Sequence, residues 1–416
     1  MKVVGIVAEY NPFHNGHLYQ MNEIRRQLDA DYIIVIMSGN FTQRGEAAIL
    51  NKFLRTEAAL LGGADLVLEL PVFSATASAE LFALSAVAHL DATGVVDTLC
   101  FGTETPNIRL LSRISEILLF EPESYRSYLK TALKSGMNFP SARSFALNKY
   151  LKSIGNTSDL EDMDGFLDTP NNILGIEYMK ALKKTSSPIK AFPILREGSG
   201  YHEISIDSPL ASATAIRNHL VTCGGLDDLQ ESLPEGMYNI IKDNPWPVDH
   251  SLFSPQLAYA LLRCGGDFTS YADITKDLSQ RISRLLPEFK SFEQFSGLLK
   301  TKTYTRTRLN RCLLHILLDI THDNMEHFSE LDYCAYLRVL GFRKNSQPLL
   351  NAISQNSSRP LFTKLAAAEK QLGKSARAIL KHEMFASQVY NSAVQLTYGI
   401  LQKSEYQQGV IITHNL

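Results

Sequence analysis

Short apolar runs alternate with helical patterns along the first half of the chain. Five runs, rich in β-branched and aliphatic side chains, each have the length of one buried strand. They are Val3–Val7, Asp31–Met37, Ala64–Leu70, Asp97–Phe101 and Ile189–Leu195. Between them, apolar residues recur at helical spacing after Leu18, over Asn51–Leu61 and over Ala79–Leu90. Strands that alternate with helices in this way favour right-handed βαβ units, so the sequence predicts an α/β fold with a parallel sheet.

The pattern changes after Leu220. Gly224, Gly225 and the acidic, proline-bearing run to Val248 indicate a boundary and a linker. Beyond it the sequence predicts amphipathic helices over Ser254–Leu262, Ile274–Leu286, Phe292–Leu299, Arg306–Ile320, Cys334–Leu340, Pro360–Leu372 and Ala376–Gly399. We therefore expect two domains, an α/β domain over residues 1–220 and a mostly α-helical domain over residues 221–416.

The composition is ordinary for a globular protein, with 45% apolar and 20% charged residues among 416. No apolar run is long enough for a membrane span, and Glu9 and Pro12 interrupt the first run before it reaches signal-peptide length. The five cysteines are scattered and never in CxxC spacing, which is typical of reduced thiols rather than of zinc or iron–sulfur ligands. We expect a cytoplasmic protein without a dedicated metal site.

Charge is unevenly distributed along the chain, although the net charge is only −2. Residues 300–416 contain 15 Lys or Arg against 8 Asp or Glu, whereas residues 221–299 contain 6 against 11. The positive C-terminal part is where a phosphate backbone could lie. Solvated helix faces carrying lysine and arginine are an equally good interpretation of charge alone.

The first strand turns almost directly into a helix through the stretch Val3–Gln20, which reads VVGIVAEYNPFHNGHLYQ. Such a junction directs unpaired backbone N–H groups at one spot and forms an anion site. His14 and His17 add side-chain donors, and Gly16 lets a ligand approach the backbone. Alternatively, His14 is only a helix cap, and a metal site would lack a third ligand. The position at the end of the first strand, where open α/β sheets bind ligands, favours nucleotide phosphates.

Two later segments contain further candidates for phosphate binding. Arg196 follows the fifth strand, so its side chain is expected to reach the same edge of the sheet. Ser212, Thr214 and Arg217 place two hydroxyls and a cation at a helix start, although SATAIR alone is more often just a capped helix. Neither a GxxxxGK[ST] loop nor a GxGxxG fingerprint is present, which disfavours phosphate-loop NTPases and standard dinucleotide-dependent dehydrogenases.

These motifs resemble those of known families. His14-Asn15-Gly16-His17 resembles the HxGH signature of the nucleotidyltransferase and class I tRNA-synthetase superfamily, and Ser212–Arg217 resembles the S-x-T-x-I-R motif of adenylyltransferases. The longer strings AEYNPFHNGHLYQ and MSGNFTQRGEAAI, at Met37–Ile49, resemble more narrowly the bacterial tRNA(Met) cytidine acetate ligase family, along the whole chain. The resemblance implies a Rossmann-like parallel sheet of the HxGH nucleotidyltransferase (HUP) type. It also implies that residues 1–220 are a nucleotidyltransferase-like catalytic domain and that the helical, basic residues 221–416 are a tRNA-binding domain.

The resemblance also implies a two-step reaction. ATP and acetate would give acetyl-adenylate and pyrophosphate, and the wobble cytidine of elongator tRNA(Met) would then take the acetyl group, leaving N4-acetylcytidine and AMP. His14, His17 and Arg217 would be the catalytic residues. The implied ATP site consists of Val7, Ala8, Glu9, Tyr10, Asn11, Pro12, Phe13, His14, Asn15, Gly16, His17, Leu18, Tyr19, Gln20, Gly102, Asn171, Arg196, Ser212, Thr214 and Arg217. Mg²⁺ is expected as a charge partner of ATP.

Basic residues gather at the head of one C-terminal helix. An arginine-rich helix start with Tyr304 just before it suits backbone phosphates and unstacked bases of RNA. The residues predicted to bind tRNA are Lys300, Lys302, Arg306, Arg308 and Arg311.

Other functions stay open from the residues alone. An adenylyltransferase acting on a small phosphate-bearing metabolite would share both motifs and would not need the residues beyond Val221. A non-catalytic RNA-binding protein would not depend on His14 or His17. A different small carboxylate is a third alternative, because the sequence does not size the acyl pocket.

Overall fold

A parallel sheet forms the centre of the first half of the chain, as the sequence predicts. The computed structural model describes residues 1–137, 139–155, 165–196, 209–222 and 225–414. The parallel strands are β1 (Val3–Ala8), β2 (Tyr32–Ser38), β3 (Leu66–Leu70), β4 (Thr98–Thr103) and β5 (Lys190–Leu195). Their order is β5-β4-β1-β2-β3, so β1 lies in the middle and its C-terminal end opens onto the crevice between the loops.

Helices cover both faces of this sheet. They are α1 (Asn15–Leu28), α2 (Lys52–Leu61), α3 (Val72–Ala75), α4 (Ala79–Ala92), α5 (Ile108–Phe120), α6 (Glu123–Lys134), α7 (Phe139–Ser153), α8 (Pro170–Lys184), α9 (Ala213–Thr222) and α10 (Glu235–Asp243). One apolar core joins the sheet to α4, α5 and α8, and a second joins its other face to α1, α2, α9 and α10. The run before Val248, predicted to be a linker, thus contains α10, whose Met237 and Ile241 are buried in the second core.

The C-terminal part is mostly helical, as expected. Its helices are α11 (Ser254–Arg263), α12 (Lys276–Leu285), α13 (Phe292–Leu299), α14 (Arg306–Leu317), α15 (His322–Ser329), α16 (Gln347–Asn356), α17 (Leu365–Gln371) and α18 (Lys374–Tyr398). Most of them share a third core, which contains Phe253, Phe295, Leu313 and Leu380.

One predicted helix is wrong. The run Cys334–Leu340 leads into strand β6 (Leu337–Arg343), which pairs antiparallel with β3 and extends the sheet. A short apolar run that is buried on both faces shows neither the two-residue alternation of a strand nor the 3.6-residue repeat of a helix, so the sequence pattern does not distinguish the two. Strands β7 (Leu361–Phe362) and β8 (Ile411–Thr413) pair with β6. Residues on both sides of position 220 therefore contribute to one sheet, while the division into two domains there stays a prediction.

A buried group of charges joins the two parts of the sheet. Lys52 Nζ lies 2.5 Å from Glu69 and 2.6 Å from Glu405, and Arg338 on β6 forms ion pairs with both carboxylates. Glu383 on α18 lies nearby, and burial together with the charge of Glu69 raises its pKa to about 8. With Glu383 protonated at neutral pH, two cations balance two carboxylates, which removes the cost of an unpaired buried charge.

Candidate active site

The first turn of α1 fixes the orientation of both histidines. His14 is the N-cap residue, and its Nδ1 accepts the N–H of Gly16 at 3.1 Å. His17 Nδ1 in turn accepts the N–H of His14 at 3.2 Å, and the two ring centroids lie 3.9 Å apart. A side chain on Gly16 would put its Cβ 2.9 Å from His14 Cε1 and would displace the His14 ring. Because each Nδ1 accepts a backbone N–H, each neutral ring carries its proton on Nε2.

Burial and neighbouring cations keep both imidazoles uncharged. Desolvation, helped by the guanidinium groups of Arg196 and Arg217, lowers the pKa of His14 to about 3. The pKa of His17 is lowered well below its usual value by burial, by His14 and by Arg196. The pair therefore presents two neutral N–H donors rather than two positive charges.

A second wall is formed by the end of β5 and the start of α9. The backbone N–H of Arg196 donates to Thr103 at 3.0 Å, which continues the strand pairing and places Arg196 beside Gly102. Ser212 Oγ accepts the N–H of Ala215 at 3.1 Å and so caps α9. Arg217 donates to the carbonyl of Asn11 at 2.8 Å, which ties this wall to the loop after β1.

A third wall comes from the loop between β2 and α2. The sequence predicts that its first residues, Ser38–Phe41, line a ligand crevice, but the loop contributes Gln43 and Arg44 to the cavity instead. Arg44 donates to Thr214 Oγ1 at 3.2 Å, and Glu46 lies 3.6 Å from Arg217. The resemblance of Met37–Ile49 to a family motif was a second signal for this loop, but it did not single out Arg44.

Arg55, on α2, connects the chain segments at the ends of β1 and β2. Its fully buried guanidinium donates to backbone carbonyls of the loops that follow β1 and β2, including those of Glu9 and Ser38. Desolvation lowers its pKa to about 10, so it stays charged at neutral pH.

These walls enclose one cavity of about 380 Å³. It is lined by Val7, Ala8, Glu9, Tyr10, Asn11, His14, Gly16, His17, Tyr19, Gln20, Gln43, Arg44, Ala79, Phe82, Phe101, Gly102, Pro170, Asn171, Leu174, Tyr178, Ile194, Leu195, Arg196, Leu210, Ala211, Ser212, Ala213, Thr214, Arg217, Thr307 and Arg311. Four residues of the implied ATP site are not among them. Phe13 and Leu18 pack in the core behind α1, Asn15 donates to the carbonyls of Pro209 and Glu231, and Pro12 follows a cis peptide bond.

Of the five residues predicted to bind tRNA, four lie outside the cavity and one lines it. Lys300, Lys302 and Arg306 are exposed, and Arg306 pairs with Glu293 at 2.8 Å. Arg308 lies over the ring of Tyr304, 5.2 Å from its centroid. Arg311 instead lines the cavity, with its side chain 14% exposed and a 3.4 Å contact to the carbonyl of Gln43. The basic helix therefore reaches from the surface to the cavity.

The cavity is strongly positive. Among the described residues that line it, four arginines face a single acidic side chain, that of Glu9. Within the same part of the chain, no group of three or more His, Cys, Asp or Glu side chains could hold a metal ion. No described helix combines the length and apolar character that crossing a membrane requires.

Comparison with known proteins gives consistent matches. The family described as HIGH Nucleotidyl Transferase matches residues 1–405. A tRNA(Met) cytidine acetate ligase from Thermoanaerobacter sp. (strain X514) is 40% identical over 397 residues, which cover 94% of this chain and 96% of the relative. Its namesake from Acetivibrio thermocellus is 36% identical, covering 99% of this chain and 100% of the relative.

Two solved structures of Thermotoga maritima TmcAL have the same fold. The apo form superposes with a TM-score of 0.92 at 32% identity, and the form bound with alpha-thio ATP superposes with a TM-score of 0.88 at 31% identity. Each match covers 100% of both chains.

Proposed function

Because the chain belongs to the HIGH nucleotidyltransferase family, we propose that it is an ATP-dependent acetate ligase that forms N4-acetylcytidine at the wobble position of elongator tRNA(Met). The names of the relatives support the tRNA substrate, and the alpha-thio ATP in the Thermotoga maritima structure supports ATP. The observation that carries the reaction is the His14–His17 pair, whose Nδ1 atoms accept backbone N–H groups and leave each Nε2–H as a donor, in one cavity that four arginines also line.

The first step joins acetate to the α-phosphate of ATP. An oxygen of acetate attacks phosphorus while the bond to pyrophosphate breaks, so the protein needs to supply positioning and charge stabilisation rather than a nucleophile. We assign the Nε2–H groups of His14 and His17 to the triphosphate. Ser212, Thr214 and Arg217 bind its β and γ end, where the departing charge accumulates. Since no group of three or more described His, Cys, Asp or Glu side chains could hold a metal ion, Mg²⁺ would come with ATP and would supply further positive charge to the triphosphate.

The adenosine lies at the ends of β4 and β5 in this proposal. Gly102 carries no side chain and leaves room for a ribose or a base, and Arg196 lies directly beside it. Asn171 lines the same region at the start of α8, where its amide donates to Glu104 at 2.6 Å.

The second step brings the tRNA to the same cavity. Lys300, Lys302 and Arg306 are exposed near the head of α14, where they can contact backbone phosphates. An anticodon base is unpaired, so turning it out of its stack costs less than it would in a duplex. The exocyclic amine then attacks the acetyl carbon of acetyl-adenylate and releases AMP.

A single experiment tests this assignment. Protein, ATP, labelled acetate and bulk bacterial tRNA are incubated, the tRNA is digested, and the nucleosides are separated. The expected product is labelled N4-acetylcytidine, with one AMP and one pyrophosphate per acetyl group. Transfer from acetyl-CoA but not from acetate would refute the acyl source, and adenylylation of a small metabolite without any labelled nucleoside would favour a plain adenylyltransferase.

A further inference from the structure

The cavity has two chemically different sides. His14, His17 and Arg217 belong to α1 and α9, which pack on one face of the sheet. The other side lies over the opposite face, against α4 and α8. We call it the apolar compartment, and it is formed by Val7, Phe82, Phe101, Leu174 and Tyr178. Since the triphosphate is assigned to the first side and the adenosine to the ends of β4 and β5 at Gly102 and Arg196, the compartment is left for a second substrate.

The apolar compartment is suited to a flat, uncharged ring. The rings of Phe101 and Tyr178 lie 5.5 Å apart at 49°, and Phe82 is 2% exposed beside them. Aromatic side chains of this kind stack on bases that have been turned out of an RNA strand. The compartment contains no arginine or lysine among its described residues, so it offers nothing to a phosphate.

Two polar groups at the compartment are short of hydrogen bonds. The hydroxyl of Tyr178 is buried and has no partner among the described residues. One carboxylate oxygen of Glu9 accepts the N–H of Gln43 at 2.9 Å, and its other oxygen accepts no hydrogen bond from the described part of the chain. For the buried Tyr178 hydroxyl the missing partner costs free energy, which a substrate that supplies the partner recovers. Glu9 is only half-buried, so its second oxygen is open to a substrate.

Glu9 is chemically unsuited to a triphosphate, although it follows the strand that leads to the histidines. A carboxylate repels phosphate oxygens, and the cavity has four arginines to attract them. Glu9 lies close enough to Tyr178 for its negative charge to contribute to the raised pKa of that hydroxyl, after burial. Glu9 follows Val7 and Ala8 in the lining of the cavity and precedes His14, so its carboxylate lies between the apolar compartment and the phosphate side.

We infer that the apolar compartment receives the cytosine base and that Glu9 accepts a hydrogen bond from its exocyclic amine and then takes the proton. This inference rests on the proposed function. The carboxylate accepts from the N4 amine of cytosine, which is the pairing expected of Glu with that base. Uracil has a carbonyl oxygen at the same position, which the carboxylate would repel.

The acyl transfer then forms one bond, breaks one bond and moves one proton. The N4 lone pair attacks the acetyl carbon of acetyl-adenylate, and the C–N bond forms as the C–O bond to phosphate breaks. The nitrogen becomes positively charged and acidic as it bonds to carbon, so the proton moves to Glu9, and AMP leaves with the electron pair. A positioned carboxylate base contributes about 10²- to 10⁴-fold in rate.

The test separates the two chemical steps in Glu9→Gln, which keeps an oxygen to accept from Gln43. Acetate-dependent exchange of labelled pyrophosphate into ATP measures the first step, and single-turnover transfer of acetyl to tRNA measures the second. We expect transfer to fall by at least about 100-fold, and at least tenfold more than exchange. The matched control is Glu80→Gln, an exposed carboxylate next to Ala79, which should transfer at the parental rate. Equal losses in both steps, or parental transfer, would overturn the role of Glu9.

Base selectivity gives a readout that a structural role would not change. Anticodon stem–loops carrying cytidine or uridine at the target position are compared in binding, with a non-hydrolysable acetyl-adenylate analogue present. The parent should prefer cytidine by at least about tenfold, and Glu9→Gln, whose amide can donate to uracil, should reduce the preference below threefold. An unchanged preference contradicts the inference.

A third experiment tests whether the apolar compartment holds the acyl chain instead of the base. If Leu174→Ala allows butyrate to support pyrophosphate exchange, the compartment holds the acyl chain and the inference fails. Failure of the proposed function is distinguishable, because the parent protein itself would then form no labelled N4-acetylcytidine.

Discussion

The substitution His14→Asn separates the two roles that the structure gives this residue. The Nδ1 atom caps α1 by accepting from Gly16, and the Nε2–H group is left for a phosphate oxygen. Asparagine caps helices about as well as any residue, so folding should be preserved, but its shorter amide cannot reach the phosphate. Removing one donor to developing negative charge costs about 2.7–4 kcal/mol, or about 10²- to 10³-fold in rate. Acetate-dependent pyrophosphate exchange should slow by that factor.

The controls for this prediction follow from the same geometry. His14→Ala should lose a similar amount of activity and also about 1 kcal/mol of stability, because the cap is lost as well. Thermal unfolding distinguishes the two variants. Since the pKa of His14 is about 3, the parental rate should show no inflection near pH 6.5 due to this ring. Exchange by His14→Asn within threefold of the parent, or a parental inflection near pH 6.5 that the variant lacks, would refute the neutral-donor reasoning.

Other predictions concern charge. Burial lowers the pKa of His89 to about 4, so the unfolded chain alone takes up its proton as pH falls from 7 to 5, and about 2 kcal/mol of stability is lost. His89→Gln should show correspondingly less loss of unfolding midpoint on acidification; an identical loss would contradict this. Glu383→Gln should be tolerated at pH 7, because that carboxyl is already protonated, whereas Glu405→Gln should cost about 3–5 kcal/mol by leaving buried cations unbalanced. If Glu383→Gln and Glu405→Gln have equal midpoints in chemical denaturation, the proposed charge balance is excluded. Arg306→Ala should reduce the salt slope of tRNA binding by about 0.7, and Arg311→Ala should in addition slow pyrophosphate exchange because it lines the cavity. If Arg311→Ala exchanges pyrophosphate at the parental rate, Arg311 acts in RNA binding alone.

The parallel strands and the start of α1 were predictable because their signals are local. Val3–Val7 is a short aliphatic run, and the HxxH pattern begins after only six more residues. Arg44 and Tyr178 were not identified, because a loop arginine or a helical tyrosine has no local pattern that tells which cavity it lines. Arg311 was noticed for its charge, but only the packing of α14 shows that it reaches the cavity.

Strand β6 was mistaken for a helix for a related reason. Leu337, Val339 and Leu340 are all buried, and Arg338 between them is buried as well because Glu69 and Glu405 neutralise it. Alternation of apolar and polar residues, which would identify a strand with one exposed face, is therefore absent. The two carboxylates that make Arg338 acceptable in this core, those of Glu69 and Glu405, lie far away in the sequence.

The pairing of β3 with β6 also limits how the protein can be divided in the laboratory. A fragment ending near residue 220 would contain the histidines, Arg196 and Arg217, yet it would expose the hydrogen-bonding edge of β3 to water and to other fragments. Glu69 on that edge and Lys52 above it would lose Arg338 and Glu405 together. An insoluble or inactive fragment would thus reflect an open sheet rather than a missing RNA contact, so point substitutions are the better probes of this enzyme.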